Sequence, residues 1–265
     1  MLFVRDKGRM CNNILQYAHV YAWAREHGRK SMSMRFAYKY PYFHISDTKY
    51  HNFFFYLLGK YGAKIGLFKT VSFDDYGEDT TAKERYMLSH RHLLIEGWQV
   101  RFFSLFHQYI DEIRTLFAFH EDIKAHAEQL LAPANGAIKL GVHIRRGDYA
   151  TWYGGKYLFS DQQYINKIRQ FISLHPTERV SIWICGNDPK LNKQAYIDAF
   201  ESSNLYFPNG NPGEDLCLLS LCDYLIGAPS TFTYIASMYH NTPLYWIMEP
   251  NEKLEKRSFR RFFKS

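Results

Sequence analysis

The chain has 265 residues, 46% of them hydrophobic and 22% charged, which is enough to build one large core or two moderate ones. Four cysteines, Cys11, Cys185, Cys217 and Cys222, form no C-x-x-C pair or Cys/His cluster, and no run approaches a membrane span. A net charge of +7 without a basic repeat or RNA-binding signature excludes a nucleic-acid binder and suits an anionic substrate or an anionic surface.

In chain order, Leu2-Phe3-Val4 reads as a short strand and Gly8 to Asn13 as a polar turn. Ile14, Leu15, Ala18, Tyr21 and Ala22 recur at helical spacing, predicting a helix from about Asn13 to His27 that stops at Gly28. Ser31 to Phe36 reads as a second strand, so the chain opens as an α/β unit. From Tyr38 to Arg101 the pattern is irregular, rich in aromatics and interrupted by the acidic run Asp74 to Asp79. Residues 102–131 read as one or two helices, and Pro133-Ala134-Asn135-Gly136 is the predicted domain boundary.

Beyond the boundary, strands at 138–144, 180–185, 223–227 and 243–247 alternate with helices near 161–174, 189–201, 214–222 and 230–239. That alternation predicts right-handed crossovers and a parallel sheet. The predicted organisation is therefore residues 1–135, residues 136–248 and a tail at 249–265. The tail carries Lys253, Lys256, Arg257, Arg260, Arg261 and Lys264 among Phe259, Phe262 and Phe263. It reads either as a last helix packed back across the domains or as a basic amphipathic segment on an anionic membrane. The N-terminal run lacks the pattern of a secretion signal, so the expected location is cytoplasmic, with peripheral membrane contact through the tail.

Four segments carry candidate chemistry. His143-Ile144-Arg145-Arg146-Gly147-Asp148-Tyr149 ends a β-favouring run on two guanidiniums, which ask for an anion such as phosphate; the alternative is an exposed Arg146–Asp148 ion pair. Cys185-Gly186-Asn187-Asp188-Pro189 also follows a strand. A carboxylate there could read the N–H edge of a guanine, or Asn187 and Asp188 could simply cap a helix. Ser230-Thr231-Phe232 opens a helix after a strand and could cradle an anion, by groups that also serve as an N-cap. Gly8 to Asn13 alone reads as a turn. The absence of G-x-x-x-x-G-K-[ST], G-x-G-x-x-G and G-x-S-x-G removes the main support for kinases, dinucleotide oxidoreductases and serine hydrolases.

Taken together, these segments resemble GDP-fucose-dependent fucosyltransferases, and more closely the bacterial α-1,2-fucosyltransferase family. The family's H-x-R-R-G-D-Y is matched at every specified position, from His143 to Tyr149. Its N-terminal loop is matched by Gly8, Asn12, Gln16, Tyr17 and Ala18, with Cys11 and Asn13 as departures. The late segment is echoed by Asp215, Leu216, Leu218, Leu219, Ser220 and Cys222, then Ser230, Thr231 and Phe232. The resemblance implies a GT-B architecture of two Rossmann-like domains facing a cleft. It also implies GDP-fucose as donor, a glycan hydroxyl (O2 of a terminal galactoside) as acceptor, inversion at the anomeric carbon, and no metal or other cofactor. Arg146 would lie against the donor diphosphate with Arg145 and His143 close by, Ser230, Thr231 and Phe232 would line the phosphates, and Asn12 would lie near the reacting centre. Arg146 is expected to be held from behind by Asp148 or Tyr149. The general base has no placed residue: Asp148 is nearest, with Asp161, Glu78 and Asp79 as other carboxylates. The alternative function is a non-catalytic nucleotide- or glycan-binding module, with Cys11 in the glycine position as its support.

Overall fold

The computed structural model describes residues 1–75, 77, 79–186, 188–200 and 204–263. It divides into two compact units, Met1–His120 and Glu121–Ser265. The division falls before the proline-containing break at 133–136. The reason is helix α6 (Glu121–Leu131), which packs on α9 (Pro212–Ser220), so it belongs to the second unit rather than to a domain ending at 135.

Unit 1 has a four-stranded parallel sheet in the order β2-β1-β4-β3, from β1 (Leu2–Arg5), β2 (Ser31–Ser33), β3 (Lys69–Ser72) and β4 (Leu93–Glu96). Helix α1 (Met10–Glu26) starts three residues earlier than the spacing predicted and is buried along most of its length. The strand expected over 31–36 ends at Ser33 because the Ser33 hydroxyl receives the Phe36 amide and turns the chain. Between residues 38 and 101, α2 (Phe53–Lys64), β3, α3 (Thr81–Ser89) and β4 follow one another. Three short helices then follow, α4 (Phe103–Gln108), α5 (Ile110–Leu116) and α6, the last of them in unit 2.

Asp6 follows β1 and is 1% exposed. Burial pushes its carboxyl up to about 8, against the pull of the Ser33 hydroxyl and the Arg35 guanidinium, and its Oδ1 has no partner. A carboxyl raised on folding from 3.8 to about 8 keeps a proton that the unfolded chain releases. The stability it contributes is full below pH 4 and lost as pH rises through 8. Asp6→Asn should flatten the pH dependence of the unfolding free energy, measured by urea titration, between pH 5 and 8. The slope difference should approach about 1.4 kcal/mol per pH unit; parallel slopes in the two proteins would disprove the assignment.

Unit 2 carries a five-stranded parallel sheet in the order β7-β6-β5-β8-β9. Its strands are β5 (Ile138–Ile144), β6 (Val180–Gly186), β7 (Leu205–Tyr206), β8 (Tyr224–Gly227) and β9 (Leu244–Trp246). The helices are α7 (Asp161–Ser173), α8 (Lys193–Ala199), α9 and α10 (Thr231–Met238). α8 is capped by Asn192, so the helix expected from 189 begins four residues later. Leu140, Val142, Ile144, Ile182, Ile184 and Ile226 are buried in one core with Tyr164, Ile168 and Phe171 of α7. Chain order leaves β5 central, with β6 on one side and β8 on the other. A parallel sheet opens a ligand crevice at the carboxyl ends of such strands.

Among the described residues the tail is helical only in a single turn at Lys256–Ser258. Arg260 pairs its backbone with Leu244 of β9 at 2.9 and 3.0 Å. Phe259 packs on Phe171, Tyr224 and Tyr245, while Phe262 and Phe263 pack on Tyr234. The expected amphipathic tail helix is thus replaced by a strand-like strap whose phenylalanines complete the core of unit 2. Among the described residues no helix is long and apolar enough to cross a membrane.

Candidate active site

The three polar segments of unit 2 meet at one sheet edge by register. Ile144 lies opposite Gly186, and His143 lies between Cys185 and Gly227. The residues leaving β5, β6 and β8 therefore emerge side by side, which brings together Arg145, Arg146, Asp188, Ser230, Thr231 and Phe232. Asn187 lies outside the described residues.

The two arginines have different partners. Arg145 Nη2 donates to both oxygens of Asp148 at 2.7 and 2.9 Å, and its guanidinium lies over the Tyr149 ring at 5.3 Å. Arg146 donates through Nη1 to Asp188 at 2.9 Å and through Nη2 to Asp161 at 2.7 Å. Asp161 also accepts the Tyr196 hydroxyl at 2.9 Å. Hence Asp161 and Asp188 hold Arg146, while Asp148 and Tyr149, the partners expected for it, lie against Arg145. Gly147, at φ +71°, turns the chain immediately after Arg146, so Asp148 comes back on Arg145.

Both assignments change the chemistry expected of these residues. Asp188 accepts the Lys190 amide at 2.9 Å as well as Arg146, and these bonds hold its carboxyl below the usual range. It serves as an arginine clamp and local turn, with no helix beginning on it. Asp148 is half exposed and bound twice by Arg145, the arrangement of a structural partner. Arg146 is four-fifths covered and fixed by two carboxylates on different elements, one at the start of α7 and one after β6. Two charge-assisted bonds in a planar fork hold a guanidinium far better than one flexible contact. Tyr149 donates its hydroxyl to the Pro229 carbonyl, tying the arginine loop to the loop after β8.

That second loop ends in Ser230, the N-cap of α10, whose hydroxyl accepts the Thr233 amide at 3.3 Å. Trp246 Nε1 donates to Thr233 Oγ1 at 2.9 Å and steadies the turn. The N-terminus of α10 at Ser230–Thr231 has the geometry by which helix amides can receive an anion. Phe232 stacks on His143, ring centroids 4.5 Å apart and planes within 10°. Burial, with Arg145 adding to it, pulls the His143 imidazole down to about 3, so the ring is neutral at pH 7. Its Nδ1 is buried without a partner.

Sequence reasoning named Asp161 only as a candidate base and Asp215 only as part of the late motif, and it missed Tyr196. Asp215 lies near Cys185, the register partner of His143, and burial pushes its carboxyl up to about 7. Its Oδ1 is buried without a partner.

Asn12 belongs to unit 1, in the first turn of α1. A Cβ at Gly8, where φ is +87°, would meet Asn12 Nδ2 and Trp98 at 2.7 Å, so glycine lets both side chains close over the turn. Asn13 and Gln16 donate to the Lys7 carbonyl at 2.9 and 2.8 Å, which fixes the loop. Cys11 is buried on the same helix at 3% exposure, and the helix accommodates its side chain where the family pattern has glycine. Of the remaining carboxylates, Glu78 lies outside the described residues, and Asp79 bonds the Thr81 amide at 2.9 Å as a local turn.

The model of glycosyl transferase family 11 matches residues 78–256, more than half of the chain. The chain belongs to glycosyl transferase family 11. Among curated relatives of this family 11 chain is the galactoside 2-alpha-L-fucosyltransferase Sec1 of Mus musculus, 25% identical over 94% of this chain and 71% of that one. Another is the galactoside alpha-(1,2)-fucosyltransferase 2 of Rattus norvegicus, 26% identical over 88% of this chain and 65% of that one. The chain thus spans about two thirds of the length of these relatives. Solved structures share the fold: FUT1 of Arabidopsis thaliana in complex with GDP, at TM-score 0.64 and 14% identity, covers 98% of this chain and 73% of that one. POFUT1 in complex with GDP-fucose gives a TM-score of 0.62 at 13% identity, covering 91% and 94%. NodZ alpha-1,6-fucosyltransferase with GDP gives 0.58 at 15%, covering 92% and 94%. The family 11 chain is therefore an α/β protein of the GT-B kind seen in these fucosyltransferases, and an enzyme of the glycosyltransferase class.

Proposed function

We propose that this family 11 enzyme moves L-fucose from GDP-fucose to a glycan hydroxyl, O2 of a terminal galactoside, with inversion and without a metal. The observation that carries the reading is Arg146 clamped between Asp161 and Asp188 at the carboxyl end of the central strand. Departure of GDP loads negative charge on the β-phosphate in an oxocarbenium-like transition state. A guanidinium already oriented meets that charge without reorganisation, and this favours the transition state over the ground state. The N-terminus of α10 adds aligned amides. Arg145 can turn from its half-exposed partner Asp148 to a phosphate oxygen, because water can take over the released carboxylate. His143, Phe232 and Asp215 suit the base: an apolar stack, a neutral imidazole and a carboxyl with an unsatisfied oxygen.

The relatives' names supply the galactoside and the α-1,2 linkage, and the GDP and GDP-fucose complexes of similar structures supply the donor. The test is incubation with GDP-fucose and a galactoside-terminated acceptor in EDTA. Acceptor-dependent GDP release is expected. Release without acceptor would make the protein a hydrolase, and binding without release would make it a nucleotide-binding module.

A further inference from the structure

A second cluster of chemistry-bearing side chains lies in unit 1, formed by residues that no sequence motif singled out. Phe43 and Phe119 form an isolated antiparallel bridge, and its flanking bonds run His44 N–H to Ala118 O at 2.9 Å and His120 N–H to Tyr42 O at 3.0 Å. These bonds pin His44 and His120 beside each other, and their rings lie 4.7 Å apart. His44 also opens a 3-10 turn, His44–Asp47, whose i,i+3 spacing returns Asp47 to the same place. Asp47 Oδ2 is 3.3 Å from His44 Nδ1 and 3.8 Å from His120 Nδ1. One ligand atom from each of the three lies within 4.8 Å of the others.

We propose that His44, Asp47 and His120 form a binding site for a divalent transition-metal ion of the zinc type. Bonds of 2.0–2.1 Å in a tetrahedral shell put ligand atoms about 3.3 Å apart. The two Asp47 separations are already near that figure, and the remaining gap closes by a small ring rotation of the exposed His44. Two imidazoles and one carboxylate are a donor set for zinc or cobalt, whereas magnesium and calcium take oxygen. The Ser46 hydroxyl lies 3.5 Å from His120 Nε2, a partner for the far nitrogen that leaves Nδ1 to the ion. Three protein ligands leave a fourth position for water. Such an ion would join the 3-10 turn to the last residue of unit 1, His120, and so fasten the end of that unit.

The test is titration of the metal-stripped full chain with zinc against a chromophoric chelator, and with cobalt followed by its visible absorption. One equivalent of zinc should bind, with a tetrahedral cobalt spectrum and a raised unfolding midpoint, while magnesium and calcium leave the midpoint unchanged. His120→Ala and His44→Ala should each weaken zinc binding at least about 10-fold, as expected for losing one of three ligands. His44 is exposed, so His44→Ala keeps the test valid should His120→Ala fold poorly. Absence of saturable zinc binding, or binding undiminished in His44→Ala, would overturn the proposal.

Discussion

Arg146→Ala is expected to lower fucosyl transfer roughly 10²–10³-fold, the cost of removing one preorganised donor from a developing anion. The loss should appear in kcat more than in the donor KM, since the charge that Arg146 meets is largest in the transition state. Removing the guanidinium also leaves Asp161 and Asp188, both largely covered, without their shared cation. Some stability is lost as well, so turnover is to be compared at a temperature where circular dichroism shows the variant folded. Arg146→Lys separates the two effects. It keeps the positive charge between the carboxylates and therefore most of the stability. An ammonium lacks the planar fork, however, and cannot bond two carboxylates and a phosphate at fixed angles. Transfer should stay at least about 10-fold down in Arg146→Lys, corresponding to about 1.4 kcal/mol of transition-state stabilisation. Near-normal transfer in Arg146→Ala would remove this residue from the mechanism.

The strand ends that frame the candidate site are legible in the sequence, while the contacts that hold its side chains are not. The end of β5 was legible because an apolar, β-branched strand running into two arginines has few other readings. The partners of Arg146 were not legible, since Asp161 and Asp188 lie 15 and 42 residues away and each looks locally sufficient. Asp161 sits inside the capping box formed by Ser160 and Gln163, where an acid is usually explained by the helix dipole. Asp188 precedes a proline and reads as a cap. Their joint use depends on the crossover that returns α7 and β6 beside β5, which is tertiary information. The stretch from 38 to 101 failed for a different reason. Helix α2 leaves Phe53 and Phe54 exposed while burying Gly59 and Gly62, the reverse of an amphipathic pattern. A Cβ at those glycines would come within 2.9 Å of Phe3 and 2.4 Å of Phe68, so they sit where the helix approaches aromatic rings closely. Glycines that allow close packing look, in sequence, like breakers.

Asp161 supplies the second large effect and decides between two roles for a carboxylate in this site. As a positioning residue it acts through Arg146, and Asp161→Asn should lower kcat by about 10²-fold, the cost of misplacing a reacting group by an ångström. The substitution keeps the side chain's size and the start of α7, and Asn can still receive one bond from Arg146, so the fold should survive. Tyr196→Phe, which removes only the hydroxyl bonded to Asp161 at 2.9 Å, should cost far less. If Asp161 works through the guanidinium, Asp161→Asn combined with Arg146→Lys should lose little more than the worse single variant, because residues in one network are not additive. A general base behaves otherwise: its removal adds to the loss at Arg146 and abolishes the acid limb of the kcat/KM profile. The structure favours the first outcome, since the bonds from Arg146 and from Tyr196 converge on one Asp161 oxygen. A carboxylate oxygen that already receives a guanidinium N–H and a phenol O–H is placed to aim Arg146 rather than to take a proton from the substrate.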